Sequence, residues 1–442
     1  MALNRSSLTM KRLRWLPIIS FGIIVLVYWI RIVLIPQGDF PNHWELGRRM
    51  VEGEWIYEGG LNFVYPPFWA LAHAPLALID VHVAQMLVYP LGPLALAGLL
   101  WILHQLTLEQ YPLDSGRLFW ATTAALTLAL HFITRDLIEV GVNTALVTLS
   151  WLAIYLWTRG RDRVAGISLG LAAALKCTPL LFLPYFCLKR QWRLVAVASI
   201  AFILFSLSPM LIQGPTQYIQ SIQAWVGKVA MGIANPDPSR GPLGQDKVEN
   251  LSLRPALARY LMHLPYGHMG RPETSDSLDR PNRPPNPYYL QFIDLSATWA
   301  GAVVRTILIC ILLAIAWSFR RPCIDRMDPA IVYECATISL LILLYSPITW
   351  KQHCVGVIPA LYLVCRHAFA GVKLSKWTIP SLTLYAIFAL VLSRELIGRD
   401  AVKLLDSYRV KTAAILLLTG TVLSNRHLRE GRLAQRASTR TM

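Results

Sequence analysis

Acidic residues are scarce in this chain: 25 Asp and Glu stand against 42 Lys and Arg, and charged residues of both signs make up only 15% of the sequence. With 55% hydrophobic residues and 15 Trp beside so little charge, the composition excludes a solvated disordered chain and departs from an ordinary soluble domain. There is no P-loop and no GxSxG elbow, which removes the usual nucleotide-triphosphate and serine-hydrolase readings. A DxD pair for a metal-held nucleotide diphosphate is also missing. The 7 Cys include no CxxC or Cys/His spacing, so neither a metal, a cofactor nor a disulfide framework is expected. No internal repeat of the kind that marks many transporters is evident.

What is present is a succession of apolar runs of roughly 17 to 25 residues, each able to cross a hydrocarbon core of about 30 Å. The first, Trp15 to Ile35, follows Lys11, Arg12 and Arg14, is longer than a secretory signal and lacks a small-residue cleavage site, so it reads as a retained span. The formal charge of +17 gathers in short clusters between apolar runs: the N-terminus, RGRDR at 159, KRQWR at 189, RRPCIDR at 320, the Arg366 to Lys376 loop and the tail after Asn425. That pattern is an orientation signal, placing all of them in the cytoplasm, and gives no reason to expect nucleic acid as a partner.

Charge then constrains the threading. Runs at 15–35, 67–79, 83–106, 118–134 and 141–158 give an odd number of crossings between two cytoplasmic clusters, where an even number is needed. The run 67–79, about 13 residues with Pro67 and Pro75, is too short to span and reads as an interfacial helix. The hairpin 164–175 and 177–188 has basic flanks, which puts Lys176 at its extracytoplasmic turn. Spans at 194–212, 296–318, 330–346, 352–369, 376–393 and 408–424 complete twelve, with both termini inside. The expectation is therefore an all-α polytopic protein of the plasma (inner) membrane: a transmembrane unit over 1–424 and a basic tail over 425–442. Its extracytoplasmic loops are 36–82 and 213–295, the latter irregular with short helices and carrying Pro at many positions.

Candidate chemistry begins in GDFPNHWEL, residues 38–46. Asn42 and Glu45 have capping-box spacing for a helix running to about Glu52. Asp39, before Phe40-Pro41, has only a weak turn role available. It follows directly on the first span, at the same outer level as Asn143, Lys176, Asn250 in VENLSL, and Trp350 and His353 in SPITWKQH. An ammonium in the apolar surroundings of Lys176 is costly, and a bound anion would offset that cost. One acid able to act as base, one cation and several polar groups at a membrane surface suit transfer from a lipid-borne anion to an acceptor hydroxyl, with no metal required.

An acid after the first span, GRRMVEGEWIYEGG, YPPFWALAHAPLAL, LAAALKCTPLLFLP, NLSL and SPITWKQH occur in the order seen in glycosyltransferase family 87, and the chain resembles that family from about Pro17 to Arg366. The resemblance implies a GT-C membrane fold with juxtamembrane helices in the first extracytoplasmic loop, and a polyprenyl-phosphate-mannose donor used with inversion. It implies Asp39 as catalytic base and donor-phosphate or sugar contact for Lys176, Asn250, Trp350 and His353. His43, Glu45, Tyr65 and Asn143 complete the expected substrate-binding set. The chain departs from the family's Gly-Gln-x-Asn at Val140-Gly141-Val142-Asn143, which leaves the role of Asn143 open. The expected partners are the donor lipid, a glycan or glycolipid acceptor, and membrane lipid. Three other readings stand beside this one: another polyprenyl-phosphate sugar on the same fold, a transporter or flippase of lipid-linked sugar, and a degenerate homologue with a structural role. The second calls for polar residues at mid-membrane, whereas here they gather at one surface.

Overall fold

The computed structural model describes residues 14–35, 38–60, 64–242, 244–245, 249–263 and 291–440. These are overwhelmingly helical, and their only sheet pairs Arg240–Gly241 with Gly244–Gln245. Three described helices are long and apolar enough to cross a membrane by themselves: Trp15–Leu34, Val81–Thr107 and Ala297–Phe319. Two bent pairs pass jointly, Ser115–Ile138 with Val142–Thr158 at 114° and Trp192–Leu207 with Met210–Ala234 at 88°. In Trp15–Leu34 only Ile32 is buried, so its 20 residues, about 30 Å of helix, present apolar side chains outward, as a bilayer requires.

Several of the scarce acids sit at helix starts, where a carboxylate answers the unpaired amides of the first turn. Asp80 Oδ1 accepts from the amides of His82 (2.9 Å) and Val83 (3.3 Å), Asp114 Oδ1 from Gly116 and Arg117 (both 2.9 Å), and Asp328 Oδ1 from Ala330 (2.9 Å). Helix Pro329–Tyr345, opened by Asp328, is the centre of the bundle and is buried along nearly its whole length. Around it pack Trp151, Trp157, Tyr185 and Tyr362, all buried.

The segment 67–79 forms a short helix, Pro67–His73, continued by a 3-10 turn, Ala74–Leu78. It lies against helix Phe40–Glu52: a Cβ on Gly47 would meet the His73 backbone at 2.6 Å, and Trp44 Nε1 donates to the carbonyls of Leu76 (3.1 Å) and Ile79 (3.0 Å). The hairpin around Lys176 is a helix, Asp162–Leu175, a break, and the turn and helix Thr178–Leu181 and Phe182–Leu188. Within 213–295 the described residues include the end of a helix kinked at Gly214, Met210–Ala234, and the short helix Leu253–Leu261. The Pro-rich remainder, 264–290, lies outside the described residues.

One expectation is corrected. The capping box on Asn42 and Glu45 does not form: the helix begins at Phe40 with Pro41 in its first turn and Asp39 in the N-cap position. Proline lacks the amide that an N-cap would have to satisfy and its fixed φ suits the first turn, so the helix starts earlier than the polar spacing suggests. Glu45 instead turns to the helix surface, where Arg48 and Arg49 hold it at 2.8 Å each. The last helix runs Val410–Arg440 and packs Asn425 and Arg426 into the protein. Arg426 and Lys189 both pair with the buried Glu334 at 2.7 Å, and Tyr185 donates to the same carboxylate at 2.9 Å.

Candidate active site

The turn between the bent pair Ser115–Ile138 and Val142–Thr158 organises the site. Val140 and Gly141 are both left-handed, at φ 50° and 73°. A Cβ on Gly141 would lie 2.1 Å from the Cα of Gly92, so only glycine allows the turn to touch the neighbouring helix. Asp136 then caps the second helix from the end of the first. Its Oδ1 accepts from the Asn143 amide (3.2 Å) and Asn143 Nδ2 (2.8 Å), and its Oδ2 from the Thr144 amide (2.8 Å) and hydroxyl (2.6 Å).

With its amide group fixed by Asp136, Asn143 presents Oδ1 to Lys176 Nζ at 3.3 Å. Lys176 Nζ lies 3.1 Å from His353 Nε2, and His353 Nδ1 accepts the Trp350 amide at 3.1 Å. Burial lowers the Lys176 ammonium to about 8, with the Asp136 charge acting in the opposite direction. These residues line a cleft of about 60 Å³ whose other walls are apolar, with Trp151, Phe182, Ile342 and Leu343, and carry the hydroxyls of Ser150 and Ser339.

On the other side of Lys176 is an aromatic group from the segment that follows the first apolar helix. Lys176 Nζ lies 5.7 Å from the ring centre of Tyr65, which stacks on Trp69 at 4.4 Å, and His43 packs edge-on against both at 5.0 and 5.2 Å. Burial first, then the nearby His73 and Lys176 charges, hold the His43 imidazole well below its ordinary value, so this ring is neutral. Asp39 is exposed beside this group, and its backbone amide donates to Glu139 Oε2 at 2.6 Å. Burial, with the adjacent Asp39 charge, raises the Glu139 carboxyl to about 7, and the Tyr65 phenol is pushed upward by burial and by the Asp39, Glu139 and Asp136 charges.

The structure therefore brings together Asp39, His43, Tyr65, Asn143, Lys176 and His353, with Trp350 contributing backbone. Asn250 and Glu45 are engaged elsewhere. Asn250 is 2% exposed; its Nδ2 donates to Pro347 O (3.1 Å) and its Oδ1 accepts the amides of Thr349 (2.9 Å) and Ser252 (3.1 Å), so it braces the strand of chain before His353. Arg48 first, and Arg49 after it, hold the Glu45 carboxylate down at about 2. Sequence reasoning missed Asp136 and Glu139. Their signal was available: two acids in RDLIEVGVN, between two apolar runs and at the level the threading assigns to the other candidates.

Fold and site together define a helical membrane protein with a cation and polar groups lining one cleft, and an acid, Asp39, beside the aromatic group that packs on that cation. The sequence profile of Glycosyltransferase family 87 matches residues 63–347, and the chain belongs to that family. Its relatives include a polyprenol-phosphate-mannose-dependent alpha-(1-2)-phosphatidylinositol mannoside mannosyltransferase of Mycobacterium tuberculosis, 24% identical over 75% of this chain and 73% of that one. The protein of the same description from Mycolicibacterium smegmatis is 25% identical over 86% and 82%. An alpha-(1->3)-arabinofuranosyltransferase of Corynebacterium glutamicum is 27% identical over 43% and 46%. Among solved structures, apo ArnT from Cupriavidus metallidurans aligns with 92% of this chain and 76% of its own, at 14% identity and a TM-score of 0.35. The protein is a membrane glycosyltransferase.

Proposed function

We propose that this enzyme transfers mannose from a polyprenyl-phosphate donor to an extracytoplasmic acceptor hydroxyl, with inversion at the anomeric carbon. The observation that carries the reading is the Lys176–His353 contact. The Trp350 amide donates to Nδ1 of His353, and Nε2 of the same ring lies 3.1 Å from the Lys176 ammonium. An ammonium beside an imidazole offers charge-assisted hydrogen bonding to an anionic oxygen, which a phosphate supplies. The sugar phosphodiester carries one negative charge and the departing polyprenyl monophosphate gains another, so this pair stabilises the leaving group more than the ground state. The apolar depth of the same cleft suits the first units of the polyprenyl chain.

Asp39 takes the proton of the acceptor hydroxyl, whose oxygen attacks the anomeric carbon from the face opposite the phosphate. A new glycosidic C–O bond forms, the C–O bond to phosphate breaks, and its electron pair leaves with the phosphate. One base suffices, and no covalent intermediate or metal is needed. The setting we propose is a GT-C architecture of twelve spans in the inner membrane, with both termini cytoplasmic and the helices of 40–52 and 67–78 lying along the outer surface. The transmembrane unit over 1–424 then carries the chemistry, the loop 213–295 contacts the acceptor, and the acceptor is a glycan or glycolipid. The arabinofuranosyltransferase relative supports a pentose as a second donor reading.

Purified protein in lipid nanodiscs, supplied with polyprenyl-phosphate mannose and membrane-extracted acceptor, tests this. Asp39→Asn should lower transfer by about 10² to 10⁴-fold while donor binding is retained. Near-normal transfer by Asp39→Asn would remove Asp39 from the chemistry, and transfer only from another polyprenyl-phosphate sugar would replace mannose.

A further inference from the structure

Glu139 is drawn to the base by geometry that the reaction just described does not use. Gly38 is left-handed at φ 66°, and a Cβ there would meet Glu139 Oε2 and the Ile138 carbonyl, both at 2.6 Å. The loop after the first span is thus laid directly on the end of helix Ser115–Ile138, and the next amide, that of Asp39, is held by Glu139 at 2.6 Å. Glu139 is itself fixed in the turn: its amide donates to Asp136 O (2.9 Å) and its carbonyl accepts from Val142 (3.2 Å). The same Asp136 holds Asn143, whose Oδ1 faces Lys176. One short turn, 136–144, therefore grips the backbone of the base on one side and the phosphate-facing lysine on the other.

We propose that Glu139 is a positioning residue for Asp39: its carboxylate anchors the Gly38–Asp39 backbone to the 136–144 turn and so sets the distance between the base and the donor phosphate. This rests on the reading of Asp39 as base. A carboxyl oxygen accepts the amide hydrogen bond in either protonation state, and misplacing a reacting group by about 1 Å costs on the order of 10²-fold in rate. The contact is to backbone, so it orients Asp39 without occupying the carboxylate that takes the proton.

The test compares Glu139→Ala, Glu139→Gln, Gly38→Ala and Asp39→Asn in nanodiscs, reading kcat, donor KM and thermal unfolding. Glu139→Ala should lower kcat by about 10- to 100-fold with donor KM within about twofold of wild type. Glu139→Gln keeps an acceptor oxygen and should recover most of that loss. Gly38→Ala attacks the contact from the loop side, so it decides the matter even if Glu139→Ala does not fold, and should lower kcat without moving donor KM. The proposal is overturned if Glu139→Ala or Gly38→Ala keeps wild-type kcat, or if a folded Glu139→Gln is as impaired as alanine. If Asp39→Asn is inactive while Glu139→Ala is normal, only the positioning role falls; if Asp39→Asn is active, the base assignment falls.

Discussion

Lys176 Nζ and His353 Nε2 lie 3.1 Å apart although 177 positions separate them in the chain. The lysine comes from the break in a helical hairpin, and the histidine from the 3-10 turn Lys351–Val357 that follows the buried central helix. Neither residue has a local reason to face the other, and the contact places an ammonium and an imidazole together in the wall of one cleft.

Removing the lysine's charge should act on the donor before it acts on the chemistry. Lys176→Met is expected to weaken binding of polyprenyl phosphate by about 10- to 100-fold, the value of one charged hydrogen bond, measured by titration in nanodiscs. The wild-type pH profile follows from burial. The ammonium, lowered to about 8, is charged and anion-binding below that pH and loses its proton above it. Donor kcat/KM should therefore fall as pH rises through about 8, a limb that Lys176→Met lacks.

Gly141→Ala should impair the turn as a unit. The new Cβ meets Gly92 backbone and the residue is held at φ 73°, where a side chain costs about 1–2 kcal/mol before any clash. Turnover and donor affinity should fall together, with a lowered unfolding temperature. An unfolding temperature equal to wild type would show that the turn tolerates the close approach differently from its geometry.

Asn250→Ala should behave as the loss of a brace, not of a sugar ligand. It leaves the buried Thr349 amide and Pro347 carbonyl without this partner, at a cost of about 1–3 kcal/mol. Unfolding measurements should register that loss, and the donor KM of the folded fraction should stay near wild type. A large rise in KM at unchanged stability would return Asn250 to the substrate.

Glu334→Ala tests the far end of the central helix. Lys189 and Arg426 are about as buried as the carboxylate between them, so removing it leaves two uncompensated charges and should cost about 3–5 kcal/mol in stability. Detergent-solubilised protein should unfold earlier, while surviving enzyme keeps its donor KM.

Much of this architecture was legible in composition. Apolar runs and basic clusters led to a helical membrane protein, Pro67 and Pro75 marked a segment too short to cross, and the Lys176 break fell where two short apolar arms met. The capping-box spacing misled because a proline one position earlier offered the helix a cheaper start. Asp136 and Glu139 were passed over because a carboxylate next to an apolar run looks the same in sequence whether it ends a helix or builds a site.

Sequence by itself determined that this chain is a membrane glycosyltransferase, because hydrophobic length, charge placement and ordered motifs are local properties written along the chain. Which polar residues meet was decided only by tertiary structure. Asn143 and Asn250 are both asparagines that the threading assigns to one level, yet one faces Lys176 and the other is bonded to backbone. Glu45 and Glu139 are both glutamates, yet one is held by arginines and the other holds the Asp39 amide. The physical reason is that hydrogen bonds and ion pairs act over about 3 Å, and such distances between remote segments exist only once the helices have packed.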